Sequence, residues 1–180
     1  MSESTIAVQF RAPTVADGAV LWQLVRDSGV LDANSCYLYL LLCRDFSDTC
    51  LVAELDSRVI GFVTAYRPPG RSRVLFVWQV GVEKAWRRMG LGLRLLQELV
   101  DRCIVRANIG GETSADHHII HLEATVAPSN TASRRLFTAL ARRFDVSVTE
   151  LPGFESHQFE AGGMHEVEPV LRLGPFRLQE

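Results

Sequence analysis

Arg87, Arg88, Gly90 and Gly92 fall within six residues, at the end of Val80-Gly81-Val82-Glu83-Lys84-Ala85-Trp86-Arg87-Arg88-Met89-Gly90-Leu91-Gly92. The run leaves an apolar strand pattern, crosses a cationic turn and enters a segment whose leucines recur at helical spacing. A helix start presents unpaired backbone N–H groups and the positive end of its dipole, and glycines let an anion approach the backbone. The combination predicts a phosphate site, although the glycines alone would equally permit close helix–sheet packing. Two familiar phosphate loops are excluded by spacing. No Gly-Lys pair occurs, so there is no P-loop, and Gly90-Leu91-Gly92 is followed by Leu95 where a dinucleotide fingerprint requires glycine. What remains is R-x-x-G-x-G.

The elements around this run follow from periodicity and punctuation. A short strand is predicted over Ile6 to Arg11. A helix then starts within Pro13 to Asp17 and stops at Gly29. Ser35 can cap a second helix to about Arg44, with Tyr37, Leu38, Leu41 and Leu42 on one side. Thr49 to Leu55 and Arg58 to Tyr66 read as a hairpin, Arg73 to Val82 as a long strand, and Gly90 to about Asn108 as a helix carrying Leu91, Leu95, Leu99 and Cys103. A polar loop over Asn108 to His117 leads to a strand from His118 to Val126. Ser129 or Asn130 caps a helix to about Arg143, with Leu136, Phe137 and Leu140 inward. Strands are predicted over Phe144 to Leu151 and Glu168 to Leu173, joined by a long loop from Pro152 to Val167. The order predicts an α/β (α+β) fold around one mixed sheet, with residues 6–173 as the domain, 1–5 a flexible N-terminus and 174–180 a tail.

Composition narrows the function classes. A chain of 180 residues, 47% hydrophobic and 22% charged, suits one globular domain with a real core. A net charge of -2 argues against a nucleic-acid or anionic-membrane binder. The longest apolar stretches, Leu38 to Cys43 and Val74 to Val80, are too short to span a bilayer, and Met1 to Thr5 carries no secretory pattern, so the cytoplasm is expected. Cys36, Cys43, Cys50 and Cys103 form no C-x-x-C pair and read as scattered buried thiols. His117, His118 and His121 invite a metal reading, but strand alternation sets His118 opposite the other two, and no metal is expected.

The R-x-x-G-x-G run at a strand-to-helix junction resembles the acetyl-CoA signature of the GCN5-related N-acetyltransferases. That resemblance implies a mixed, mostly antiparallel sheet flanked by helices, with acetyl-CoA as co-substrate. It further implies that backbone amides of Arg87, Arg88, Met89, Gly90, Leu91 and Gly92 hold the pyrophosphate and that Val80 and Val82 pair with the pantetheine arm. Asn130-Thr131-Ala132-Ser133 followed by Leu136-Phe137 is similar to the second coenzyme segment, implying contacts at Asn130 and Ser133. Two departures stand out. Phe137 replaces a tyrosine that in many members protonates the departing thiolate, and Val74 to Gln79 lacks the carboxylate that many members place before the signature. The general acid is therefore open, and Glu123, His157 and a water chain are the candidates for the base.

Leu31 to Cys43, Gly61 to Tyr66, Val77 to Val80 and Ala124 to Asn130 together resemble the diaminobutyrate acetyltransferase branch of ectoine biosynthesis. The resemblance implies acetylation of the γ-amine of a small diamino acid by a cytoplasmic homodimer, with neither nucleic acid nor membrane as partner. The residue chemistry is compatible with that substrate. Asp32 can pair with an ammonium, Ser35, Tyr37 and Tyr39 offer hydroxyls, Trp78 offers an aromatic face, and Glu155 and His157 supply polar groups from the long loop. Each also has a plain alternative: helix entry for Asp32, core packing for the tyrosines, sheet packing for Trp78 and solvation for the loop pair. Another amine or polyamine as acceptor, and a non-catalytic acyl-CoA sensor, are the competing readings.

Overall fold

Nine residues of almost unbroken apolar sequence, Val74–Val82, make a strand that contributes to both halves of the fold. The computed structural model describes residues 8–29, 31–32, 34–106, 118–159 and 165–176. In chain order the elements are β1 (Gln9–Arg11), α1 (Gly18–Ser28), α2 (Cys36–Asp45), β2 (Leu51–Leu55), β3 (Arg58–Tyr66), β4 (Val74–Val82), α3 (Leu91–Val100), β5 (His121–Thr125), α4 (Thr131–Arg143), β6 (Val148–Phe154) and β7 (Glu168–Leu173). Through β4 the strands read β1-β2-β3-β4-β5-β7-β6. The β4–β5 pair is parallel, whereas β1–β2, β2–β3, β5–β7 and β6–β7 are antiparallel, so the sheet is mixed.

The described residues form two compact units. One runs to Tyr66 and includes Gln79–Leu99; the other holds Arg67–Trp78 and the residues from Val100 onward. In the first, Leu21, Val25, Tyr39, Cys43, Val52, Val59 and Phe62 form a buried cluster between the first two helices and the hairpin. The Asp56-Ser57 turn of that hairpin has φ of 49° and 62°, the left-handed pair that matches strand twist. In the second, α4 buries Phe137, Leu140 and Ala141, and β5 and β7 bury Leu122, Leu171 and Leu173.

Most expected elements form, but the strand expected over His118 to Val126 spans only His121–Thr125, and there are four further differences. The buried stripe of α2 is Tyr39, Leu42 and Cys43, while Tyr37 is 67% exposed; in a helix this apolar, periodicity cannot choose a face. The helix after the glycine run is α-helical only to Val100 and continues to Arg106 as π-helix. The expected strand over Phe144 to Leu151 is shifted to Val148–Phe154, taking in Pro152, which β6 tolerates because β7 is its one neighbour among the described strands. The long loop is correspondingly shortened, and a turn of 3-10 helix occupies Ser156–Gln158. Cys43, Cys50 and Cys103 are buried and Cys36 is half-buried. The whole expected N-terminal tail with the start of the first strand (1–7), the end of the helix after the glycine run and the polar loop to His117 (107–117), part of the long loop (160–164) and residues 177–180 lie outside the described residues.

Candidate active site

In the first unit the chain leaves β4 through a 3-10 turn, Lys84–Trp86, and then turns tightly over 87–90 into α3. Arg88 and Gly90 adopt left-handed φ of 63° and 78°. A Cβ on Gly90 would meet nothing within 4 Å, so close packing does not explain this glycine; its backbone conformation does. Gly90 carbonyl accepts the first helical bond, from Arg94 N at 3.0 Å, leaving the N–H groups at the head of α3 without helical partners. Arg87 and Arg88 divide their work. Arg87 is turned inward, donating from Nε to the Val82 carbonyl (3.0 Å) and from Nη2 to the Ser28 carbonyl (3.2 Å), which ties the turn to the end of β4 and to α1. Arg88 and Met89 are exposed. The cradle thus consists of backbone donors and one outward cation on a braced turn.

The same unit carries the loop before α2. Ser35 caps that helix, its Oγ accepting from Leu38 N, so its hydroxyl is engaged. Trp22 Nε1 donates to the Asn34 carbonyl at 3.1 Å, Leu31 N donates to Ser28 Oγ at 3.0 Å, and Gln79 Nε2 donates to the Asp32 carbonyl at 3.0 Å. Three anchors therefore hold the loop backbone while the Asp32 residue itself is exposed. Tyr39 is fully buried and donates its hydroxyl proton to Gln79 Oε1 at 2.8 Å. Burial raises the Tyr39 pKa, opposed by hydrogen bonds with Asn34 and Gln79. Among the sequence candidates, Asp32 and Tyr37 present accessible side chains, whereas Ser35 and Tyr39 are committed within the protein.

In the second unit Glu123 is completely buried. Its Oε2 accepts from Arg71 Nη1 at 2.6 Å and its Oε1 from Arg172 Nε at 2.8 Å and Nη2 at 2.5 Å. Both carboxylate oxygens are occupied by guanidinium donors, the arrangement a buried charge requires. Asn130 Oδ1 accepts from Ser133 N at 3.1 Å and so caps α4. Trp78 is 45% exposed on β4, and Phe137 is buried at 4%. Glu155 and His157 are both exposed on the short 3-10 turn, where Glu155 N donates to Gln158 Oε1 at 2.7 Å.

Three residues with evident roles escaped the sequence reading. Gln79 is the one polar side chain in Val74–Val82, a signal that could have found it. Arg71 and Arg172 were missed because the Glu123–Arg172 pairing depends on β5–β7 register, which periodicity does not supply.

The acetyltransferase (GNAT) family model matches residues 20–141. The chain belongs to this family. L-2,4-Diaminobutyric acid acetyltransferase of Marinococcus halophilus is 40% identical over 173 residues, covering 96% of this chain and 93% of that one. The corresponding enzyme of Halalkalibacterium halodurans is 43% identical over 163 residues, covering 91% and 79%. Among solved structures, diaminobutyrate acetyltransferase EctA from Paenibacillus lautus, in complex with L-2,4-diaminobutyric acid and coenzyme A, superposes with a TM-score of 0.82 at 38% identity, covering 97% of this chain and 99% of that one. The matched residues include Arg87 and Gly90 on the braced turn and Gly92 in the first turn of α3.

Proposed function

We propose that this chain transfers the acetyl group of acetyl-CoA to the γ-amine of L-2,4-diaminobutyrate, giving N-γ-acetyl-L-2,4-diaminobutyrate for ectoine biosynthesis, and that it works as a cytoplasmic homodimer. The observation that carries the reading is its similarity, over nearly the whole chain, to enzymes of that name and to a structure holding that substrate and coenzyme A. The backbone amides of Arg87 to Gly92 hold the pyrophosphate, with Arg88 adding charge, and Asn130 and Ser133 contribute at the head of α4. Val80 and Val82, beyond Phe76 where the β4–β5 pairing stops, offer backbone groups to the pantetheine arm. Asp32 receives the α-ammonium, and Trp78 and Tyr37 flank the four-carbon chain.

In the transfer the neutral γ-nitrogen attacks the thioester carbon, forming the C–N bond, and the C–S bond breaks as the tetrahedral adduct collapses. The nitrogen loses two protons in all from its ammonium form; one is regained by the CoA thiolate and one passes to solvent. Glu123 has both oxygens engaged by arginines, which leaves His157 or a water chain as the base, imidazole being the commonest group for that task. A Lys-like amine has a pKa near about 10.4 and an α-amine near about 8, so intrinsic acidity favours the wrong nitrogen and geometry must select the γ-position.

Mixing the protein with acetyl-CoA and diaminobutyrate should release thiol, with a rate rising from pH 7 toward 9, and proton NMR of the product should show a shifted γ-methylene. Absence of thiol release, faster turnover of a polyamine, or α-acetylation would overturn the reading. Light scattering should report two chains per particle.

A further inference from the structure

The diamine reading leaves unexplained how an exposed carboxylate on a loop could discriminate between substrates that differ by one methylene. Discrimination of that kind needs a fixed distance between the recognition group and the reacting centre. The Asp32 side chain has two rotatable bonds, so its reach is set by where its backbone is held.

That backbone is held from the sheet. Gln79 is half-buried on β4, and its amide is read at both ends. Oε1 accepts the Tyr39 hydroxyl at 2.8 Å, and Nε2 donates to the Asp32 carbonyl at 3.0 Å, where Asn34 Nδ2 adds a longer contact of 3.3 Å. Tyr39 is itself immobilised. Its ring meets Phe62 edge-on at 6.4 Å between centroids, and Phe62 lies where any Cβ on Gly81 would fall, 2.3 Å from the ring. Substituting Gly81 would displace Phe62 and, through it, Tyr39. The donor and acceptor roles are mutually consistent, since the Tyr39 O–H can only donate to the amide oxygen, which leaves the NH2 facing Asp32.

We propose that Gln79 is a positioning residue for the diamine, with the relay Phe62–Tyr39–Gln79 fixing the Asp32 peptide and with it the chain length the enzyme accepts. The proposal rests on the diaminobutyrate reading above. Gln79 itself touches no reacting atom; it sets the site's length through Asp32.

The test uses the full-length protein and three variants. Gln79→Glu keeps the acceptor for Tyr39 but removes the donor to Asp32, Tyr39→Phe removes the other arm, and Gln79→Met removes both. For Gln79→Glu, KM for diaminobutyrate should rise about tenfold with kcat within about twofold, the pattern of lost ground-state binding. The ratio of kcat/KM for diaminobutyrate over ornithine should fall about tenfold as the Asp32 peptide loses its anchor from the sheet. Tyr39→Phe should produce a smaller shift in the same direction, and its effect should shrink when added to Gln79→Met, because the two share one relay while Tyr39 also bonds Asn34. Acetyl-CoA affinity by calorimetry should stay at the wild-type value in all three. Unchanged KM and selectivity in Gln79→Glu would overturn the proposal. So would parallel losses of coenzyme affinity, kcat and melting temperature, which mark a purely structural residue. Wild-type enzyme that prefers another amine would instead refute the diaminobutyrate reading, and the variants would then be scored on the preferred amine.

Discussion

Asp32 and Glu123 are both carboxylates to which the sequence assigned chemistry, and their surroundings are opposite. At Asp32 the protein binds the backbone, through Gln79, and leaves the residue exposed. At Glu123 it binds the carboxylate, through Arg71 and Arg172, and buries the residue completely. A charge available to a ligand is one whose support comes from elsewhere in the residue. A charge whose own oxygens are filled serves the fold, because a carboxylate removed from water must have its acceptor sites met internally.

The largest effect that would break this contrast is at Glu123. Glu123→Gln should lower stability by about 2–4 kcal/mol, below the range for fully buried pairs because the Arg71 and Arg172 side chains are 48% and 35% exposed. Urea denaturation measures that loss, and turnover per folded molecule should remain near wild type. If the Glu123→Gln variant were stable but inactive, Glu123 would be the base and the assignment would reverse.

Asp32→Ala should do the converse, depressing kcat/KM for diaminobutyrate by about 10- to 150-fold, the loss of one charge-assisted hydrogen bond to the bound substrate. Its melting temperature and acetyl-CoA affinity should hold. A matching fall in stability would return Asp32 to a helix-entry role.

Gly90→Ala sharpens the account of the cradle. With nothing within 4 Å to clash and φ at 78°, the variant should be less stable by about 1 kcal/mol from backbone strain alone and should bind acetyl-CoA more weakly. Wild-type affinity in calorimetry would show that the turn's conformation is dispensable for the coenzyme.

The smallest effects distinguish the regions by pH. Arg11, whose guanidinium forks onto Asp17 at 2.8 and 2.9 Å, holds that carboxyl below its ordinary value of 3.8. The folded pKa is depressed, so this stabilisation is full above pH 3.8 and is lost as pH falls through the folded value. Burial, with Arg172 adding to it, lowers His121 below 6.5. Here the unfolded chain takes its proton first, so stability falls as soon as pH drops below 6.5. Denaturation curves should therefore weaken in two windows. His121→Gln should flatten the upper one and Asp17→Asn the lower. An upper limb unchanged in His121→Gln would remove His121 from the linkage.

The ease with which each feature could be read from the chain tracks how local its cause is. Leu91, Leu95, Leu99 and Cys103 announce their helix because a four-residue recurrence is a property of one element, and all four are buried. Asn130 announces α4 because a cap acts within three residues. The shift of β6 was hidden, since Phe144 to Ser147 offers strand-forming residues that the end of α4 claims first; Phe144 N still bonds the Leu140 carbonyl and Val146 N the Ala141 carbonyl. The expected stripe of α2 put Tyr37 on the packed side, yet Tyr37 is 67% exposed and Tyr39 fully buried, because a helix this apolar offers more than one possible face.

The amino-acid sequence by itself determined most element types, the R-x-x-G-x-G run from Arg87 to Gly92, the phenylalanine at 137 and the family. Each of these is written in neighbouring residues, within the reach of a helical turn or a short motif. Only the tertiary structure decided that Arg87 braces its turn while Arg88 faces outward, that Glu123 is locked between two arginines, and that Gln79 joins Tyr39 to the Asp32 peptide. Those assignments link positions between five and 59 residues apart, and hydrogen bonds at such separations depend on register and side-chain direction that local pattern does not carry.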